Sequence, residues 1–147
     1  MSDWEEQYRR ILRGLARIKN QDRSQEEYED DLWCFFINCW HLKDWLKQDA
    51  FINVNVTSDI EKEAENSGIL QYCRTVADKR KHLRLSRFHP KDAQPIAAFD
   101  VSTADETVTV RWHIEKDDGT SVPVVQFAES IVYEWSRILR AYGLIGS

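Results

Sequence analysis

The chain has 147 residues, with 20 Lys and Arg against 25 Asp and Glu, a formal net charge of -5 and 42% hydrophobic residues. This length favours a single domain over 1–147, and the composition excludes intrinsic disorder. The net negative charge argues against broad, nonspecific coating of nucleic acids, although a local basic patch stays compatible with RNA contact. Its three cysteines cannot build the disulfide framework of a small secreted protein. Since neither a signal-peptide pattern nor a membrane-spanning stretch is present, we expect a cytoplasmic protein without a membrane partner.

The first part of the sequence predicts two long helices. Between Trp4 and Ile18, apolar residues recur at helical spacing with arginines between them, which predicts an amphipathic helix. A second helix is predicted to begin at Ser24, which forms a capping-box pattern with Glu27. The stretch 32–40 is apolar on nearly every side, which indicates either the centre of a helix bundle or a homodimer interface.

The middle of the sequence predicts two further helices. Residues 51–56 are β-prone and predict an extended connection, after which 57–59 offer N-caps for a short polar helix. Gly68 is expected to end that helix. Apolar residues then share one helical face over 69–83, and the chain is expected to leave the helix within 84–90 because a proline follows His89.

After Pro95 the apolar residues alternate instead of following the helical period, which predicts half-buried strands. The strands are expected at 99–103, 108–114 and 121–125. A final helix follows. The sequence therefore predicts a mainly α (α+β) fold, an antiparallel bundle of about four helices with a three-stranded antiparallel β-meander inserted before the last helix. The bundle is assigned to 1–90 and 126–143, and the meander to 97–125.

The sequence gives no pattern for a metal or a cofactor, and we predict none. Its glycines are too scattered for a phosphate-binding loop, and the usual nucleophile and zinc motifs are missing. Cys34 and Cys39 point to different sides of a helix, so we expect both to pack as small hydrophobes. His41 and Asp44 have the spacing of a general-base pair, but we interpret them as a side-chain pair that closes the second helix.

One segment reverses the sign of the chain's charge. Between Lys79 and Lys91 it carries six Lys or Arg and two His, and it is the only strongly basic patch that the sequence indicates. Such a patch can neutralise phosphates, or it can be a solvated helix end whose cations complement the helix dipole. The candidate anion- or RNA-binding residues are Lys79, Arg80, Lys81, Arg84 and Arg87.

Residues Arg84 to His89 form an Arg-x4-His motif toward the end of a late helix in this predicted bundle. In this respect the chain resembles the HEPN superfamily, small prokaryotic helical domains many of which are ribonucleases of toxin and phage-defence systems. The resemblance implies RNA cleavage without a metal at a dimer interface. It further implies that Arg84 stabilises the phosphate and that His89 is the acid/base, with His82 as a second candidate.

The function predicted first is a small non-catalytic interaction module that acts through a protein partner or as a homodimer. No specific catalytic motif is present, whereas the six tryptophans are of a residue type favoured at interfaces. Trp4 and Trp45 lie near helix ends and are the expected contact residues. The alternatives are the ribonuclease, with RNA bound through 79–91, and a small-molecule sensor with its ligand inside the bundle.

Overall fold

A computed structural model describes residues 1–78, 84–88, 111–116 and 118–146. It confirms a mainly helical fold with a small antiparallel sheet before the last helix. The described elements are, in chain order, α1 (Asp3–Lys19), α2 (Gln25–Gln48), α3 (Val54–Asn66), α4 (Gly68–Ala77), β1 (Leu85–Phe88), β2 (Arg111–Glu115), β3 (Ser121–Pro123) and α5 (Val124–Ala141).

Helix α2 lies at the centre of the bundle, packed against α1, α3 and α4. It begins as predicted, because the Ser24 hydroxyl accepts a hydrogen bond from the Glu27 N–H at 3.2 Å. α1 runs antiparallel to it and comes very close at Gly14, where a Cβ atom would lie 3.1 Å from the Phe35 ring. The indole N–H of Trp135 on α5 donates to the Cys39 carbonyl at 2.8 Å, which ties α5 to α2.

The burial of α2 is one-sided, contrary to the sequence prediction. Cys39 is fully buried as expected, but Cys34 is exposed, so the prediction that both cysteines pack in the core was wrong. The neighbouring helices α1, α3 and α4 do not cover the side of α2 that carries Cys34, and Trp33 beside it is only half-buried. An apolar stretch in a sequence does not indicate which of its faces the tertiary fold covers.

Helix α3 begins earlier than predicted. Asn53 is its N-cap, with a side-chain oxygen that accepts the Asn55 N–H at 2.7 Å, so the predicted extended connection 51–56 is already helical from Val54. The N-caps predicted at 57–59 therefore lie inside the helix. The Asn53 cap determines where α3 begins, because its side-chain acceptor offsets the weak helix propensity of Val54 and Val56.

One residue forms the corner between α3 and α4. Ser67 ends α3, where its N–H donates to the Ala64 carbonyl at 3.3 Å, and its hydroxyl caps α4 by accepting the Leu70 N–H at 3.3 Å. The same hydroxyl donates to Glu134 on α5 at 2.9 Å. Gly68 was predicted to end α3 but is the first residue of α4, because a serine can serve both helix ends.

The sheet has the strand order β1-β2-β3, and both pairs are antiparallel. Its first described strand, β1, lies inside the segment assigned to the bundle (1–90), so the prediction that the meander begins at 97 was wrong. β1 is only 4 residues long, too short for its alternation to stand out in the sequence. The strand predicted at 99–103 lies outside the described residues. α5 begins at Val124, directly after Pro123, whose fixed φ of -61° suits a helix start.

Trp112 on β2 docks the sheet onto the link between α1 and α2. Its backbone N–H donates to the Gln21 side chain at 3.0 Å, and its indole N–H donates to the Gln21 carbonyl at 3.1 Å. Its ring stacks on that of Tyr28 with centroids 5.7 Å apart. Tyr28 is fully buried and donates its hydroxyl to the Ile18 carbonyl at 2.8 Å. The sheet and the helices thus share one core.

Candidate functional site

The structure describes two of the site residues predicted from the basic segment. Arg84 is exposed just before β1, and its carbonyl accepts the Glu115 N–H at 2.9 Å. Arg87 lies within β1, opposite Trp112 in the register. The four residues between Arg84 and His89 form a strand instead of a helix end. Outside the described residues lie Lys79, Arg80, Lys81, His82 and His89.

The two tryptophans predicted as contact residues differ in exposure. Trp4 is buried in the core, so that prediction was wrong for Trp4, because its face of α1 packs against the rest of the bundle. Trp45 is half-buried and faces an open groove of about 270 Å³. The groove lies where the start of α1 meets the end of α2. We call it the end groove, and it is lined by Met1, Ser2, Asp3, Trp45, Gln48, Asp49, Ala50 and Phe51.

Two helix termini form the walls of the end groove. At the start of α1 the Glu5 carboxylate accepts the Ser2 N–H at 3.3 Å and the Ser2 hydroxyl at 2.7 Å. At the end of α2 the Asp49 N–H donates to the Leu46 carbonyl at 3.2 Å. Each terminus forms hydrogen bonds within the chain, and these bonds hold the two walls locally.

Phe51 stands at the rim of the end groove and is 99% exposed. Its N–H donates to the Asp49 side chain at 2.8 Å, and the Ile52 N–H donates to the Asp49 carbonyl at 3.3 Å. This Asx turn holds the backbone of the rim in place while the aromatic ring points into solvent. A phenylalanine with nearly all its surface in water is uncommon, since aromatic side chains dominate cores and interfaces.

Other apolar side chains are exposed at the same end. Of the five large hydrophobic side chains that are exposed among the described residues, Met1 and Phe51 line the groove and Val54 follows three residues later. Leu12 and Tyr133 are exposed elsewhere. Single exposed apolar residues are normal on a protein surface, whereas a group of them around a groove is typical of an interaction site.

The charged side chains that line the end groove are acidic. Asp3 and Asp49 are in its lining, and neither Lys nor Arg is. One turn along α1, the hydrogen bonds from Ser2 lower the pKa of the Glu5 carboxyl below its ordinary value. The lining of the groove therefore combines the apolar side chains of Met1, Trp45 and Phe51 with the carboxylates of Asp3 and Asp49.

The side-chain pair of His41 and Asp44 that was predicted to close α2 does not form, so that prediction was wrong. Asp44 accepts a hydrogen bond from Lys43 at 2.9 Å, and His41 is exposed without a hydrogen bond to it. The thiol of Cys39 lies beside that of Cys73, and burial raises its pKa well above the ordinary value, so it is not a poised nucleophile. His41 is therefore not oriented by Asp44, and Cys39 is not an activated thiol.

A polar cluster between α3 and α5 is fully paired. Arg137 donates to Glu134 at 2.7 Å and lies 3.7 Å from Glu63. A hydrogen bond to Glu63 raises the pKa of the Tyr142 hydroxyl to about 12. Because each of these groups has a partner on a neighbouring element, the cluster holds the two helices together.

Within the described ranges, no group of three or more His, Cys, Asp or Glu residues is arranged to hold a metal ion. None of the described helices is both long and apolar enough to cross a bilayer. No protein-family model, curated protein or solved structure matches this chain. The end groove is therefore the candidate site that the described geometry favours.

Proposed function

We propose that this protein is a non-catalytic interaction module that binds a protein partner through the end groove. The observation that carries the proposal is Phe51, 99% exposed on a hydrogen-bonded turn at the rim of a groove lined by Trp45. A half-buried tryptophan beside an exposed phenylalanine has the composition of a binding hot spot, where aromatic side chains supply most of the affinity.

The energetic contribution of this rim can be estimated from burial alone. Transferring a fully exposed phenylalanine side chain out of water contributes about 1.5–3 kcal/mol. The backbone at Phe51 is already held by Asp49, so little backbone entropy is lost when a partner covers the residue. Removing the ring should therefore weaken binding by about 2 kcal/mol, which is about 30-fold in Kd.

The charges indicate which partner the groove accepts. Asp3 and Asp49 line the groove together with the apolar side chains of Trp45 and Phe51. A segment that places an apolar residue between Lys or Arg residues therefore complements both the apolar and the acidic side chains of the groove. A second copy of this chain fits less well. In a symmetric contact through the same surface, Asp3 and Asp49 of both copies would be brought together, and like charges repel.

Selection from a random-peptide display library tests the proposal with a partner of defined chemistry. We expect the enriched peptides to share an aromatic or large aliphatic residue flanked by Lys or Arg. Binding of a synthetic enriched peptide should weaken about 30-fold in Phe51→Ser. Tyr133→Ser is the matched control, since Tyr133 is 68% exposed on a different helix, and it should bind as the wild type does.

Several outcomes would contradict the proposal. Enriched peptides that are acidic, or that bind Phe51→Ser and the wild type equally well, would exclude the end groove as the site. Sedimentation analysis tests whether a second copy of this chain occupies the groove. Self-association that is lost in Phe51→Ser would assign the groove to that second copy. Circular dichroism should be unchanged in both variants, because each replaced side chain is exposed.

A further inference from the structure

A second surface, independent of the end groove, lies on the exposed face of α1. From Gln7 to Gln21 the chain contains four arginines and one lysine and no acidic residue, although its net charge is -5. The first acidic residue after Glu6 is Asp22. Three of the arginines are spaced four residues apart on the exposed side of the helix, and we call them the arginine row: Arg9, Arg13 and Arg17.

The geometry of the arginine row follows from that of the helix. Successive members are separated by about 6 Å along the axis and turned by about 40° about it, so the three guanidinium groups lie along one strip of about 12 Å. Arg10 lies on α1 beside this strip, and Arg140 at the end of α5 is exposed and close enough to Tyr8 for its charge to act on that hydroxyl.

The cations of the row are only weakly engaged within the protein. Arg9 forms neither a hydrogen bond nor an ion pair with the described residues, while Arg13 meets Glu6 at 2.8 Å and Arg17 lies 3.9 Å from Asp31. These pairs are at the surface, with arginine side chains 53% and 51% exposed. Exposed pairs of this kind contribute little to stability, so a phosphate group can replace the carboxylate.

The surroundings of the row favour a nucleic acid over other polyanionic surfaces. The apolar side of α1, including Ile11 and Ile18, is buried in the core, so the helix cannot insert that side into a membrane. Leu12 is the only exposed large hydrophobic side chain of α1, whereas protein interfaces have an apolar centre. Nucleic-acid interfaces are instead dominated by positive charge, and arginine matches phosphate geometry well.

We propose that the arginine row binds the phosphate backbone of a nucleic acid, through residues other than those of the basic segment 79–91. Three contacts of this type predict a weak, sequence-independent interaction whose affinity falls steeply with salt. The expected slope of log K against log salt is about -2.7 for a duplex and about -2.1 for a single strand.

Fluorescence anisotropy with a short labelled RNA duplex, a DNA duplex and a single-stranded RNA tests the proposal between about 50 and 200 mM KCl. We expect the double variant Arg9→Gln/Arg13→Gln to lose about two phosphate contacts, which makes the duplex slope shallower by about 1.8. The charge-matched control is Lys47→Gln/Lys62→Gln, which removes two exposed cations from α2 and α3 and should keep the wild-type slope.

Equal slopes for the arginine variant and the wild type would overturn the proposal, because they would assign binding to another surface such as segment 79–91. Equal loss in both double variants would overturn it as well, since net charge would then explain the effect. Competition by polyglutamate as effective as that by unlabelled duplex would assign the row to an acidic protein. The three labelled probes distinguish which nucleic acid supplies the phosphates.

Discussion

Replacing Tyr28 with phenylalanine tests the junction between the helices and the sheet. The substitution keeps the ring, which is 0% exposed and stacked on Trp112, and removes only the hydroxyl that donates to the Ile18 carbonyl. That carbonyl lies near the end of α1, where helix carbonyls lack intrahelical donors. We therefore expect Tyr28→Phe to leave a buried acceptor without its hydrogen bond.

The expected cost is about 2 kcal/mol of the free energy of unfolding, within the range of about 1–3 kcal/mol for a buried polar group that loses its partner. For a chain of 147 residues, this corresponds to a decrease in Tm of about 6 °C. Urea denaturation followed by far-ultraviolet circular dichroism measures the change. Tyr133→Phe, which removes an exposed hydroxyl, is the control, and it should leave the midpoint unchanged.

The same substitution has a predicted pH dependence. Burial raises the pKa of Tyr28 above its ordinary value near 10. The folded state therefore keeps a proton that the unfolded state releases, and stability falls as the pH rises above about 10. Each such proton contributes a slope of up to about 1.4 kcal/mol per pH unit. In Tyr28→Phe this contribution should vanish, so alkaline unfolding should depend less steeply on pH than in the wild type.

Two results would refute this reasoning. Stability of Tyr28→Phe within about 0.5 kcal/mol of the wild type at neutral pH would mean that the Ile18 carbonyl does not need the hydroxyl. An alkaline slope that is the same in both proteins would mean that Tyr28 titrates alike in the folded and unfolded states. Burial also raises the pKa of Tyr8, so a smaller slope should remain in the variant.

At the other side of this junction, Gln21→Met should cost about 1–2 kcal/mol in urea denaturation, because the Trp112 N–H loses its side-chain acceptor. Gln21→Glu keeps an acceptor and should cost less, and equal stability of the two variants would contradict this account. For an interaction module we expect a mixed RNA pool to stay intact in EDTA. Cleavage that is lost in both Arg84→Ala and His89→Ala would instead establish the ribonuclease implied by the HEPN resemblance.

The helices were predictable where a periodic pattern and a cap coincide. The apolar period of α1 and the Ser24 cap of α2 are local features of the sequence, and both appear in the structure as expected. The start of α3 was missed because valines favour strands, while the single Asn53 cap outweighs them. Strand β1 was missed because it exists only through its pairing with β2, which is distant in sequence.

The candidate surfaces were predictable in part, for a similar reason. Trp4 and Trp45 were predicted as contact residues because both lie near a helix end. Tertiary packing buries Trp4 and leaves Trp45 in the end groove. Phe51 gave no signal, because an isolated phenylalanine in a sequence is more often buried than exposed. The members of the arginine row are four residues apart in the sequence, so they form a basic strip only when α1 is helical, whereas the basic residues of 79–91 are clustered in the sequence itself.

The corner at Ser67 limits how the chain length can vary in this fold. Because one residue ends α3 and starts α4, the corner contains no spare residue to absorb an insertion or a deletion. Adding one residue within the first turn of α4 would rotate the rest of that helix by about 100° and turn Cys73 and Val76 away from α2. Insertions and deletions should therefore be tolerated in the loops but should disrupt the fold at this corner. The orientations of α3, α4 and α5 there depend on the hydroxyl group of Ser67.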